Sequence, residues 1–389
     1  MYIALDDLIL TKDLPTTGGS LMLKGYYSPF DAEVATRLTG AGHEITCKAA
    51  VGEFACDLLG ETNFMGPTVD VDGNLCGGDI MVLMNNDAEA VVGLDVNGTP
   101  RRSAAVSNHI CLKTSYGIVS RYGTIPLACS GESVYVTGVT SATCQDVLES
   151  IAGHDPKDGT SLPQERCVAA ATPGEVPATV GVCRSLVEAA GPDVQARIQK
   201  VIAKLEARGV RVEWVDDSML LAAKPAWNIL MPAELCNNVS RYDGVKYGYR
   251  SQDYETIDEL YTNSRTEAFG DVLKTVILFG SDVLFTHNYL AKYDRAMRMR
   301  RLVVERFQEL FAQYDALLMP ACSKLAFTPA DVEADKFIAF QENLFTAPAS
   351  ISGLPALVAM GVQFMGPHGS DANLLRLSAS LGACAWKEV

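Results

Sequence analysis

Helix-period and strand-period stretches alternate from one end of the chain to the other, and this constrains the fold more than any other feature. "FDAEVATRLTGAG" carries a helical pattern closed by glycines, and "HEITCKA" follows as a strand. "GPDVQARIQKVIAKLEARG" sets Ile198, Val201, Ile202 and Leu205 on one face, with Pro192 opening the helix and Gly209 beyond its end. "VRVEWV" then alternates as a half-buried strand. "RRLVVERFQELFAQY" is an amphipathic helix, and "DALLMP" and "ALVAMGVQF" read as buried strands. Such alternation predicts an α/β fold, a layered sheet with helices packed on it. The stretch "HDPKDGTSLPQERCVAAATPGEVPATV" is rich in Pro, Gly and charge. It reads as a long surface connection inside one domain rather than a linker between two.

At 389 residues and 48% apolar composition, the chain has enough apolar material for a large core and for buried interfaces. No apolar run approaches the roughly 18–20 residues that a membrane span requires, and "MYIALDDLIL" lacks the basic stretch of a secretory signal. A net charge of −15 argues against general nucleic-acid binding, which draws its affinity from cations on phosphates. One helical stretch departs from this balance: Lys292, Arg295, Arg298 and Arg301 crowd together, a candidate contact for an anionic partner. The eleven cysteines are scattered with no Cys-x-x-Cys pair, which suits reduced thiols in a reducing compartment. His43, His109, His154, His287 and His368 lie far apart without ligand spacing, so no metal is expected at them. Asp6, Asp7 and Asp79 would form a cation site only if the fold joined them. Neither a GxGxxG nor a Walker lysine pattern occurs, and no cofactor is expected.

Chemistry concentrates in "GLDVNGTPRRSAA", where Asn97-Gly98 forms a tight-turn pair and Thr99 offers a hydroxyl at its mouth. The longer run "GLDVNGTPRRSAAVSNHICLKTSYGIVSRYG" resembles the amidase signature family. "ESIAGHDPKDGTS", "MPAELCNNVSRYDGVKYGYRS", "RTEAFGDVLKTVILFG" and "ISGLPAL" carry the likeness to the carboxyl end, closest to the glutamyl-tRNA(Gln) amidotransferase A-subunit branch. The resemblance implies a mixed sheet covered by helices on both faces and a single amidase-like domain over residues 1–389, without the family's usual N-terminal helical segment.

That family acylates a serine, whose proton passes through a bridging serine to a lysine. Carried over, the lysine position is Asp6, the bridging serine Asp79 and the nucleophile Thr99. The arginine and aspartate that grip substrate fall on Val276 and Asn343. All five positions are changed. A carboxylate of pKa ~4 is a poor base for an aliphatic hydroxyl, and adjacent Asp6 and Asp79 would raise each other's pKa. Threonine is stiffer than serine. Asn97 stands where a glycine helps aim oxyanion donors, and a lost donor raises a barrier by about 2.7–4 kcal/mol. The apolar run Ile80 to Met84 is expected to fill the old substrate pocket. The resulting expectation is a catalytically inactive structural subunit of a larger assembly, a mitochondrial one linked to translation. The alternative is an active amidase or amidotransferase subunit with rewired chemistry and Thr99 as nucleophile. A third reading is a small-molecule binding module in the old pocket.

Overall fold

The computed structural model describes residues 1–385. Its strands are β1 (Tyr2–Asp6), β2 (Glu44–Ala49), β3 (Ala90–Asp95), β4 (Ile110–Lys113), β5 (Ser133–Gly138), β6 (Thr179–Cys183), β7 (Arg211–Val215), β8 (Ala316–Met319), β9 (Ala356–Ala359) and β10 (Val362–Met365). They form one mixed sheet in the order β2-β1-β3-β5-β4-β9-β10-β8-β6-β7. Pairing is parallel among β2, β1 and β3 and again among β8, β6 and β7. Between these blocks it is antiparallel, as in β3–β5, β4–β9 and β10–β8.

Every residue of β3, β4, β5, β8, β9 and β10 is buried. Successive strand side chains point to opposite faces, so continuous burial requires cover on both. Of the outermost strands, β2 is mostly half-buried and β7 mostly exposed, as sheet edges are. The predicted α/β fold with a helix-covered mixed sheet is what forms.

The helices follow the sequence signals. α1 (Glu33–Gly40) buries Val34, Ala35 and Leu38. The helix Pro192–Ala207 begins at its proline and buries Ile198, Val201, Ile202 and Leu205, the predicted face. "ALVAMGVQF" proves to be two strands rather than one. Met360 and Gly361 take positive φ (54° and 72°) and turn β9 back onto β10. Two consecutive left-handed residues suit the turn that matches strand twist. The long 154–180 stretch contains a helix, Gln164–Ala171, that the sequence did not suggest. No helix among the described residues is long and apolar enough to cross a membrane.

Two further helices position the site. α2 (Gly78–Met84) follows Gly77, and α3 (Thr99–Ser107) follows the turn that leaves β3. β1 and β3 run parallel and end at Asp6 and Asp95, so the site lies beyond their carboxyl ends, where α/β sheets commonly place chemistry.

Candidate active site

The turn from β3 into α3 is fixed from several directions. Gly98 has φ 85°, and a Cβ there would stand 2.4 Å from Cβ of Thr346, so the position needs glycine. Its N–H donates to Asp95 Oδ1 at 3.0 Å. Asn97 accepts from the Trp227 indole N–H at 3.2 Å and donates to the Cys56 carbonyl. Arg101 and Arg102, both fully buried, brace the first turn of α3. Arg101 Nε donates to Asp95 Oδ2 at 2.7 Å and its Nη1 to Gln363 Oε1 at 2.9 Å. Arg102 holds the carbonyls of Asn97 and Asp57, each at 2.9 Å. Burial alone would raise the Asp95 carboxyl, but the cations of Arg101 and Lys113 override it and hold it below the usual carboxylate range.

Thr99 emerges from this frame as the first residue of α3 and donates to the Asp57 carbonyl at 3.1 Å. It lines a small cavity, about 20 Å³, together with Asp6, Asp79, Tyr135, Gly77 and the 50–60 loop. That is room for a water-sized guest. The three positions singled out in the sequence, Asp6, Asp79 and Thr99, therefore do converge. Val276 does not join them. It is buried in the core on the helix Asp271–Leu284. Asn343 also lies outside the cavity, accepting from Arg102 at 3.4 Å and donating to Asn228 at 2.7 Å.

The two carboxyls differ in their bonding. Both Asp6 oxygens accept backbone N–H groups, from Leu8 at 2.9 Å and Leu94 at 2.7 Å. One Asp79 oxygen accepts the Thr137 hydroxyl at 3.1 Å. Burial pushes each carboxyl up to about 7, against the pull of those hydrogen bonds. The sequence-based pKa near 4 is therefore corrected, and so is its proposed cause. Desolvation dominates, and the acidic neighbour acting on Asp6 is Asp7 rather than Asp79. Asp7 turns instead to Thr17. Among the described residues, no group of three or more His, Cys, Asp or Glu side chains is placed to hold a metal.

The apolar run at 80 to 84 is also displaced from its expected role. It forms α2, and Leu83 and Val82 pack with Ala4, Ala49 and Val91 against the sheet. None of the five lines the cavity. The space is narrowed by the 50–60 loop, Pro100 and Tyr135. Sequence reasoning missed Tyr135 and Ser103. Ser103 lies four residues after Thr99 on α3, a spacing that puts the two on one helix face.

On the helix Arg295–Phe311 and the turn before it, the predicted cationic cluster is largely partnered within the chain. Lys292 pairs with Asp282, Arg298 with Asp294 at 2.8 Å, and Arg301 with Glu305 at 2.6 Å.

Comparison with known proteins places this geometry in a family. The family model described as Amidase matches residues 1–375. The A subunit of glutamyl-tRNA(Gln) amidotransferase from Symbiobacterium thermophilum is 33% identical, covering 97% of this chain and 81% of its own. Its counterpart from Halothermothrix orenii is 32% identical, with 97% and 83% covered. The crystal structure of the Thermotoga maritima counterpart superposes with a TM-score of 0.80 at 25% identity, covering 98% of this chain and 82% of that one. These findings overturn the expectation of an inactive structural subunit, since the relatives are named as amidotransferase subunits, which are enzymes. Two of its grounds also fail in the structure: burial raises the Asp79 carboxyl to about 7, and the apolar run 80–84 stays out of the cavity.

Proposed function

Because the chain belongs to the amidase family, we propose that it is an enzyme cleaving the C–N bond of an amide by acyl transfer, with Thr99 as nucleophile and Asp79 as general base. One observation carries this reading: Thr99 and Asp79 line a single cavity in which burial brings the Asp79 carboxyl to about 7, the range a base needs at neutral pH. Thr99 Oγ1 gives up its bond to the Asp57 carbonyl and attacks the carbonyl carbon while its proton passes to the Asp79 carboxylate. The C–N bond then breaks, and Asp79 returns the proton to the leaving nitrogen. Water, or another acceptor, next attacks the acyl ester, losing its proton to Asp79 as Thr99 recovers its hydroxyl. The oxyanion faces the start of α3, where the Thr99 and Arg101 N–H groups have no partner inside the helix and Pro100 has no N–H to offer. Asp6, with both oxygens held by backbone donors, fixes the turn rather than moving protons.

The relatives' description as a subunit supports work beside a protein partner. Exposed Leu278, Phe285 and Leu290 next to Lys292 and Arg295 offer a face for it. Ammonia release from a panel of primary amides, glutamine included, tests the catalytic reading. Thr99→Ala is expected to abolish turnover and labelling by an acylating probe. Asp79→Asn is expected to lower kcat by about 10²–10⁴. Full turnover in Thr99→Ala would sink the reading.

A further inference from the structure

Ser103 has a buried hydroxyl with no assigned task. The residue is fully buried on α3, and its Oγ has no hydrogen-bond partner. Buried hydroxyls in native proteins are nearly always paired, so an orphan beside a reactive centre calls for an account. The neighbouring glycine supplies the geometry. A Cβ on Gly77 would stand 2.2 Å from Ser103 Oγ and 2.4 Å from Asp79 Oδ1. The hydroxyl and the carboxylate oxygen thus flank the same vacant point, which only a glycine leaves open. The other Asp79 oxygen already accepts the Thr137 hydroxyl from β5.

We infer that Ser103 is a positioning residue for Asp79, its hydroxyl donating to Oδ1 and holding the carboxylate toward Thr99. The two oxygens stand on either side of that point with no hydrogen bond between them in the structure, so the contact requires the Ser103 side chain to turn toward Oδ1. Asp79 would then be held from two sides, by Thr137 on the sheet and by Ser103 on the helix that also carries the nucleophile. The inference rests on the assignment of Asp79 as base.

The other charged and titratable groups around the carboxyl are accounted for. Asp6 on β1 shares the cavity with its oxygens on backbone N–H groups. Cys76 precedes α2, Cys111 lies on β4 and Tyr135 on β5; burial raises all three and the Asp79 charge adds to it, so they stay neutral near pH 7. Lys48 on β2 donates to the Ile9 carbonyl and Thr16. Asp95 on β3 is paired with Arg101 of α3, and Arg102 serves the Asp57 and Asn97 carbonyls.

A donated hydrogen bond favours the ionised carboxylate, so its loss raises the pKa. In Ser103→Ala the acid limb of the kcat/KM profile should move up by roughly one pH unit, a tenfold loss on the acid side that shrinks to little at high pH. Ser103→Thr, which keeps a hydroxyl, should restore the wild-type limb. Difference infrared titration of the Asp79 carboxyl, identified by its loss in Asp79→Asn, reads the same shift without turnover. Should Thr99→Ala remain active, the catalytic reading fails, while the infrared titration still tests the Ser103–Asp79 contact. An inactive Thr99→Ala combined with an unmoved limb and an unmoved carboxyl titration in Ser103→Ala would overturn the inference alone.

Discussion

Asp79 shows how far a residue's chemistry departs from its type. As an isolated side chain it is ionised at neutral pH and a feeble base. Sealed beside Tyr135 and Gly77, it holds its proton to about pH 7. For a reaction needing the ionised form, kcat/KM should climb with pH through about 7 and level above it, and Asp79→Asn should flatten the curve. A profile already flat from pH 5 would count against Asp79. Arg101 makes a second test. It bridges Asp95, Gln363, Ser350 and the Thr346 carbonyl with no exposed surface. Arg101→Met takes from buried Asp95 its one ion-pair partner, leaving only the more distant cations Lys113 and Arg102, and should cost about 3–5 kcal/mol in urea unfolding. A loss under 1 kcal/mol would show that the bridge does not hold the turn. The position of Thr99 was legible, because Asn-Gly is a turn signal that chain-local physics writes directly. The state of Asp79 was not. Desolvation depends on Leu94, Tyr135 and the 50–60 loop, which reach the site from distant parts of the chain.

At the level of elements, the site leans on a helix that never enters it. The helix Ala223–Asn238 carries Trp227, whose indole N–H braces Asn97 in the turn before Thr99. The same helix packs against Asp271–Leu284 so closely that a Cβ on Gly280 would lie 2.1 Å from the Pro232 carbonyl oxygen. Gly280→Ala must push these helices apart, and a loss of about 1–3 kcal/mol is expected by urea titration. If stability rises instead, as helix propensity alone would have it, the close packing is misjudged. Element types were readable wherever period and punctuation agreed, as in Pro192–Ala207. Two placements were not. The apolar residues of α2 cover the sheet instead of the cavity, because apolar character says only that a face is buried, not against what. The β9–β10 reversal hides inside an apolar run, since Met360 bears no turn signature yet adopts φ 54°.

Across the whole molecule, the buried carboxyls add up. Desolvation raises Asp6, Asp79, Glu53 and Glu61 each to about 7, from 3.8 or 4.5 when solvated. Groups with raised folded values stabilise fully below the unfolded value, and that contribution is lost as pH climbs through the folded one. Stability should therefore fall from about pH 4, where the solvated carboxyls ionise, to about pH 7, where the folded ones do, and level above it. His109, which burial lowers to about 4, and His43, which burial also lowers, work the other way below about 6.5, but burial raises Asp7, Asp57, Glu132 and Asp371 as well as these four carboxyls. The thermal midpoint is expected to be about 5 °C higher at pH 6 than at pH 8. A flat or rising trend would mean that water reaches these carboxyls. The sheet order has a consequence for synthesis. Residues up to 138 complete one block ending at β4, and residues 179–319 complete another ending at β8. The strands that join them, β9 and β10, leave the ribosome last. Until residues 356–365 emerge, both blocks present unpaired edges of buried-type strands, the kind of surface on which nascent chains aggregate. A chain stopped at residue 350 should accumulate as insoluble material, and supplying 351–389 separately should rescue it only when the two are made together.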